Sequence, residues 1–162
     1  MTSQELMLNT AIANWKLIVK RASGLFDGLS EEQFYTEIAP GKNRPIYLLG
    51  HLTAVNDAIL PLLGLGERQY PELEAIFIKA PDKSVDELPS LGQLKRYWAE
   101  LNALLLERFA GLTAEEWIER HTAMTDEEYA ADPGRNRFNI LLNRTNHMAM
   151  HLGQVIYARK KA

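Results

Sequence analysis

The sequence predicts an all-α protein, an antiparallel four-helix bundle with short extra helices in its connections. Three observations carry that expectation: apolar residues recur at helical spacing in four long segments, helix-start signatures precede several of them, and strand patterning is nearly missing. The start signature is Ser/Thr-x-x-Glu/Gln, in which two side chains satisfy otherwise orphaned backbone N–H groups. It occurs at Thr2–Glu5, Ser30–Gln33, Ser84–Glu87, Ser90–Gln93, Thr113–Glu116 and Thr125–Glu128.

The first long helix is expected from about Ser3 to Phe26, with Leu8, Ile12, Trp15, Val19, Ala22 and Phe26 on one stripe and Gly28 at its end. The second begins at Pro45, a good first-turn residue, and runs to Gly64 and Gly66. Pro61 is expected to bend or tighten its last turn, because proline donates no N–H. The third follows Ser90, carries Leu94, Trp98, Leu101, Leu105 and Phe109, and stops at Gly111. The fourth spans about Arg137 to Lys160, after the breaker Asp132-Pro133-Gly134. Short helices are expected after Ser30 and Thr113. The apolar run Ile76–Ile78 is the one strand candidate and reads as a loop or a helix turn. Four such helices suit a bundle, and a long connection between the second and third suits a site.

Composition narrows the function. The 162 residues suit a single domain with a sizeable core, and 46% hydrophobic with 24% charged residues is an ordinary globular mix. A net charge of −3 gives no broad footprint for nucleic acid. The terminal Ala158-Arg159-Lys160-Lys161-Ala162 reads as a helix C-terminus with charges that suit the dipole. Without cysteine the chain has no disulfide, no thiolate ligand and no catalytic thiol. No signal peptide is read at Met1–Thr10, and no apolar run approaches the length of a membrane span. A soluble, cytoplasmic protein is the expectation.

Histidines supply the chemistry. His147 and His151 lie four residues apart, so they differ by about 40° around a helix axis and share a face. That face also carries Ile140, Asn143, Met150, Gln154 and Ala158, while Phe138, Leu142, Thr145, Leu152 and Ile156 lie opposite. The fourth helix is thus apolar nearly all round, as in a central helix or one at a subunit interface. In the second helix His51 shares its face with Tyr47, Leu48, Ala54, Val55, Ala58 and Leu62, with Thr53 and Asp57 on the other side. One histidine on an apolar face is commonly a hydrogen-bonded core residue. Three together ask for more, since every buried imidazole needs partners for two nitrogens. One cation would accept a lone pair from each and leave only the outer N–H groups to satisfy. Zinc, nickel and iron all accept such a set, and three protein ligands leave a position open for water or substrate. The segment lacks the glutamate of the zinc-protease motif and the Glu-x-x-His of di-iron bundles.

At these residues the chain resembles the DinB/YfiT-like superfamily of metal-dependent bundles. The shared motifs are Leu49-Gly50-His51-Leu52, His147-x-x-x-His151-x-Gly153-Gln154 and the lead-in Pro40-Gly41-Lys42-Asn43-Arg44-Pro45. The resemblance implies a four-helix bundle, often dimeric, with His51, His147 and His151 as ligands of one divalent metal. Characterised relatives include thiol-dependent S-transferases and a mycothiol-dependent maleylpyruvate isomerase. It therefore implies a small-molecule substrate and a low-molecular-weight thiol, or water, activated by the metal, and a homodimer. The other reading is a non-catalytic metal-stabilised or ligand-binding bundle.

Further residues carry two readings each. Tyr47, one turn before His51, orients a ligand or donates a proton, or simply packs. Asn143 and Gln154 flank the histidine pair as outer-shell or substrate contacts, or form a structural polar cluster. Arg144, roughly 60° from His147, binds a substrate carboxylate or makes a salt bridge. Met148 and Met150 read as core filling. His121 reads as a surface or loop residue. Asp126, Glu127 and Glu128 read as a solvated helix start, or as a lid leading into the histidine helix.

Overall fold

Capping chemistry sets where the helices begin. The computed structural model describes residues 1–160, the side chain of Lys160 excepted; Lys161 and Ala162 of the basic tail lie outside them. Helices α1 (Ser3–Asp27), α2 (Glu31–Tyr35), α5 (Leu91–Ala110), α6 (Ala114–Trp117) and α7 (Asp126–Ala131) each start at a closed capping box, on Thr2, Ser30, Ser90, Thr113 and Thr125. Ser84 departs from the expectation. Its hydroxyl donates to the Pro81 carbonyl in a tight turn, and Pro89 follows before a helix could form. Among the described residues the regular structure is helical, with one isolated bridge between Arg120 and Asn136.

The second long segment is broken. It forms α3 (Pro45–Asp57) and the single turn α4 (Ile59–Leu62), separated at Ala58. Pro61 has no N–H for the Asp57 carbonyl four residues earlier, which ends the regular ladder there. The Asp57 carboxylate accepts from the backbone N–H groups of Gln69 and Tyr70 at 2.8 and 2.9 Å, so it anchors the returning connection. That connection enters a π-helical turn, Ala75–Lys79, over the apolar run that the sequence pattern reads as a loop or a helix turn. The fourth segment is α8 (Arg137–Val155), continued by a 3-10 turn over Ile156–Lys160.

Helix α1 packs along α8, α8 against α3, and α3 against α5. Aromatic side chains return α5 to α1: Trp15 meets Phe109 edge-on, Phe26 meets Trp98, and the Trp98 indole N–H donates to Ser23 Oγ. One apolar cluster runs through all four. The most enclosed helix is α3, where every residue except His51 is buried, Thr53, Asn56 and Asp57 included. The sequence pattern puts Thr53 and Asp57 on the side away from His51 and reads the fourth helix as central or at a subunit interface. Local partners explain the difference. Thr53 Oγ1 donates to the Leu49 carbonyl, and the Asn56 amide reaches Asn102 Oδ1 and Met148 Sδ, so these polar groups are satisfied inside. Helix α8 has an outward side, where Leu142 and Met150 are exposed, as is Ile156 in the turn that continues it, so only Met148 of the methionine pair fills the core.

Candidate metal centre

Two helices aim three imidazoles at one point. His51 comes from α3, and His147 and His151 come from successive turns of α8. His147 Nε2 lies 3.3 Å from His51 Nε2 and 3.0 Å from His151 Nε2. The three rings meet edge-on, with interplanar angles of 70–84°, so nitrogen edges rather than ring faces converge.

Hydrogen bonds on the outer nitrogens fix the tautomers. His51 Nδ1 donates to the Phe77 carbonyl at 2.8 Å, and His151 Nδ1 donates to Gln154 Oε1 at 2.8 Å. Both Nε2 atoms therefore present lone pairs inward. His147 Nε2 carries at most one hydrogen and can satisfy only one of them. His147 Nδ1 is itself enclosed and meets no hydrogen-bond partner among the described residues. A cation at the centre would satisfy all three inward lone pairs, while placing the His147 hydrogen on its enclosed Nδ1. Two nitrogens about 2.05 Å from a zinc ion at a tetrahedral angle lie about 3.3 Å apart, which matches the His51–His147 separation of 3.3 Å and exceeds the 3.0 Å between His147 and His151. The donor set fits a divalent cation, and the three residues form a cluster able to hold one.

The electrostatics agree. Burial holds the His51 pKa below the ordinary histidine value, opposed by the Phe77 hydrogen bond and assisted by His151 and Arg144. His147 is pushed down to about 4, first by burial and then by His151, His51 and Arg144. Both rings are neutral at neutral pH, the form in which imidazole binds metal.

Backbone features carry the outer partners. A β-carbon on Gly50 would stand 2.4 Å from the Phe77 ring. Only glycine lets that ring lie against α3, which in turn brings the Phe77 carbonyl to His51. Tyr47 stacks on His51 with ring centroids 6.2 Å apart, and its hydroxyl donates to the Ala80 carbonyl at 2.7 Å, which ties α3 to the chain beyond the π-helical turn. Arg44 and Asp82 fix the start of α3: the buried Asp82 carboxylate accepts from the Arg44 backbone N–H and from its guanidinium at 2.7 Å. Gln154 also lines a cavity of about 270 Å³ with Ile38, Ala39, Gly41, Lys42 and Asn43. Gly41 turns this lead-in to α3 with a φ of 72°, a conformation side chains disfavour.

The remaining candidates separate. Asn143 is exposed and donates to Asn139 Oδ1 at 2.7 Å, rather than to a histidine. His121 is in a loop but buried, not on the surface, because Thr122 ties that loop to the carbonyls of Pro61 and Leu62. Asp126, Glu127 and Glu128 form the start of α7, none of whose residues is buried, and Asp126 pairs with Arg120. Arg144 is half-buried and makes no salt bridge among the described residues. The Phe77 carbonyl escaped the sequence reading, since a backbone acceptor has no residue signature. Its only trace was the unassigned apolar run containing it.

An all-helical chain with three histidines converging from two helices defines a class of metal-site helical proteins. Comparison places it within that class: the model of the DinB superfamily matches residues 16–155, and the chain belongs to that superfamily. Among solved structures, a conserved protein from Enterococcus faecalis is similar over 99% of this chain and 96% of its own, with a TM-score of 0.68 and 17% sequence identity. Identity that low speaks for the shared fold alone. No curated protein matches the chain significantly.

Proposed function

We propose that this chain is a metal-dependent transferase whose three-histidine centre activates a low-molecular-weight thiol for attack on an electrophilic small molecule. The observation that carries this reading is the convergence of three Nε2 atoms, with the hydrogens of His51 and His151 drawn outward to Phe77 and Gln154 so that their lone pairs face inward. A divalent cation held there supplies Lewis acidity, lowering the pKa of a thiol or water in the open position so that no neighbouring protein base is needed.

The chain's own residues do the positioning. Phe77 and Gln154 lock the ring orientations of His51 and His151, as outer partners of ligating histidines commonly do. His51 and His147 are only partly buried, which leaves the centre approachable. The cavity beside Gln154 offers room for a small molecule next to the group that orients His151. Tyr47 holds His51 from behind. Zinc, nickel and iron remain equal candidates for the cation.

The same reading takes α1, α3, α5 and α8 as an antiparallel four-helix bundle, in a cytoplasmic homodimer. Large apolar side chains exposed on two adjacent helices support the dimer: Leu6, Met7 and Leu17 of α1, and Leu142, Met150 and Ile156 beyond them on the α8 segment. No described helix is long and apolar enough to cross a membrane.

The test is elemental analysis followed by cobalt substitution. The expected result is near one metal per chain, lost in the His147→Ala variant. With glutathione, bacillithiol or mycothiol, a sulfur-to-cobalt charge-transfer band should appear and vanish in His151→Ala. Full metal occupancy without a band for any thiol would turn the reading to metal-water chemistry or to a non-catalytic, metal-stabilised protein.

A further inference from the structure

Arg144 brings a full positive charge to a place where no described residue partners it. It stands on α8 three residues before His147, about 4.5 Å along the axis and on nearly the same side as His151. The residue is half-buried and its Nε is sealed from solvent. Among the described residues no carboxylate, carbonyl or hydroxyl accepts from the guanidinium. The other arginine of α8 behaves differently: Arg137 pairs with Glu119 and with the Glu116 carbonyl. The one partner-rich arginine near the centre, Arg44, is bound to Asp82.

Arg144 is close enough to matter at the centre, since it stands one turn before His147 and two turns before His151 on the same helix. The three imidazoles are uncharged ligands and bring nothing to offset a cation. A flexible apolar residue could fill the space of the Arg144 stem. What the guanidinium adds is a rigid fork of donors matched to a carboxylate.

We propose that Arg144 is the anion-recognition residue of the three-histidine centre, and that the small molecule taken there carries a carboxylate a few bonds from the atom that reaches the metal. The inference rests on the metal-centre reading and names the ligand class of that site. The carboxylate pairs with Arg144 and fixes one end of the molecule. The other end is directed toward His147 and His151, one and two turns along the same helix.

Two probes isolate the carboxylate: 3-mercaptopropionate and 3-mercaptopropanamide share a thiol and a length and differ in charge. In cobalt-loaded protein, the charge-transfer band should saturate with the carboxylate at least about tenfold more tightly than with the amide, the size of one charge-assisted hydrogen bond. Arg144→Gln should bring that ratio close to one with metal content unchanged, and Arg144→Lys should restore part of it. In zinc-loaded, nitrogen-15-labelled protein, the Arg144 Nε–H signal, assigned by its loss in Arg144→Gln, should move with 3-mercaptopropionate and with propionate, and stay still with the amide. The two wild-type comparisons stand even if a variant fails to fold. Equal binding of the two thiols, or an Nε–H signal that ignores carboxylate, overturns the proposal. A signal that moves while no thiol gives a band keeps Arg144 as the carboxylate site and removes the thiol reading instead.

Discussion

Gly50 and Phe77 touch where no side chain could be added: a β-carbon at position 50 would overlap the Phe77 ring at 2.4 Å. The contact is structural, yet its product is chemical, because the same residue's carbonyl accepts the His51 Nδ1 hydrogen. Gly50→Ala must push the π-helical turn away from α3. Overpacking of this kind costs about 1–3 kcal/mol, and loss of an outer partner weakens metal binding by about 10- to 100-fold. Urea denaturation and a chelator competition titration read the two effects. Unchanged metal affinity in a destabilised variant would show that the Phe77 carbonyl does not matter to the ligand.

Gln154 separates affinity from stability in the opposite way. Its side chain is exposed on α8 but holds His151 Nδ1 at 2.8 Å. Gln154→Ala should weaken metal binding by about 10-fold or more while folding stability stays within about 0.5 kcal/mol. Gln154→Glu keeps an acceptor and should retain affinity. Equal affinity in Gln154→Ala, measured by competition with a chromophoric chelator, would remove it from the site.

The metal-free protein should lose stability in mild acid. His147 titrates near 6.5 when unfolded but is held at about 4 in the fold, chiefly by burial. Between those values the unfolded chain binds the extra proton, so stability declines as pH falls from about 6.5 toward 4. His51, lowered in the same direction by burial, adds to the slope. Urea midpoints of chelator-treated protein across that range are the measurement, and a flat profile would mean that the rings are not held neutral.

Oligomeric state follows from the outward side chains of α1 and α8. Sedimentation at micromolar concentration should show a homodimer, and Met150→Lys should shift it toward monomer with metal content unchanged, since the Met150 side chain is exposed while His147 reaches inward to His51. A wild-type chain that sediments only as monomer counts against the dimer.

The histidine set was legible in the sequence because helical spacing alone fixes which residues share a face, and three imidazoles on two apolar faces have few other uses. Helix starts were legible where a hydroxyl and its Glu or Gln partner both precede an apolar run, as at Ser90 and Gln93. Burial on α3 was not, because Asn56 and Asp57 owe their place to partners about 12 to 92 residues away in the chain. The outward side of α8 was hidden for the converse reason: Met150 and Leu142 are apolar but stand outside. The position of Arg144 is legible in the sequence, whereas its lack of a partner among the described residues shows only in the fold.

His51 and His147 stand 96 residues apart in the chain yet only 3.3 Å apart at their Nε2 atoms. A cation shared between them would close a loop spanning more than half of the protein, acting as a reversible cross-link with no cysteine in it. Its strength would follow supply: about 4 kcal/mol of added stability when free metal stands a thousandfold above its dissociation constant, and none when metal is scarce. The melting temperature of this protein would then be a gauge of metal availability in its surroundings, whatever reaction the centre performs.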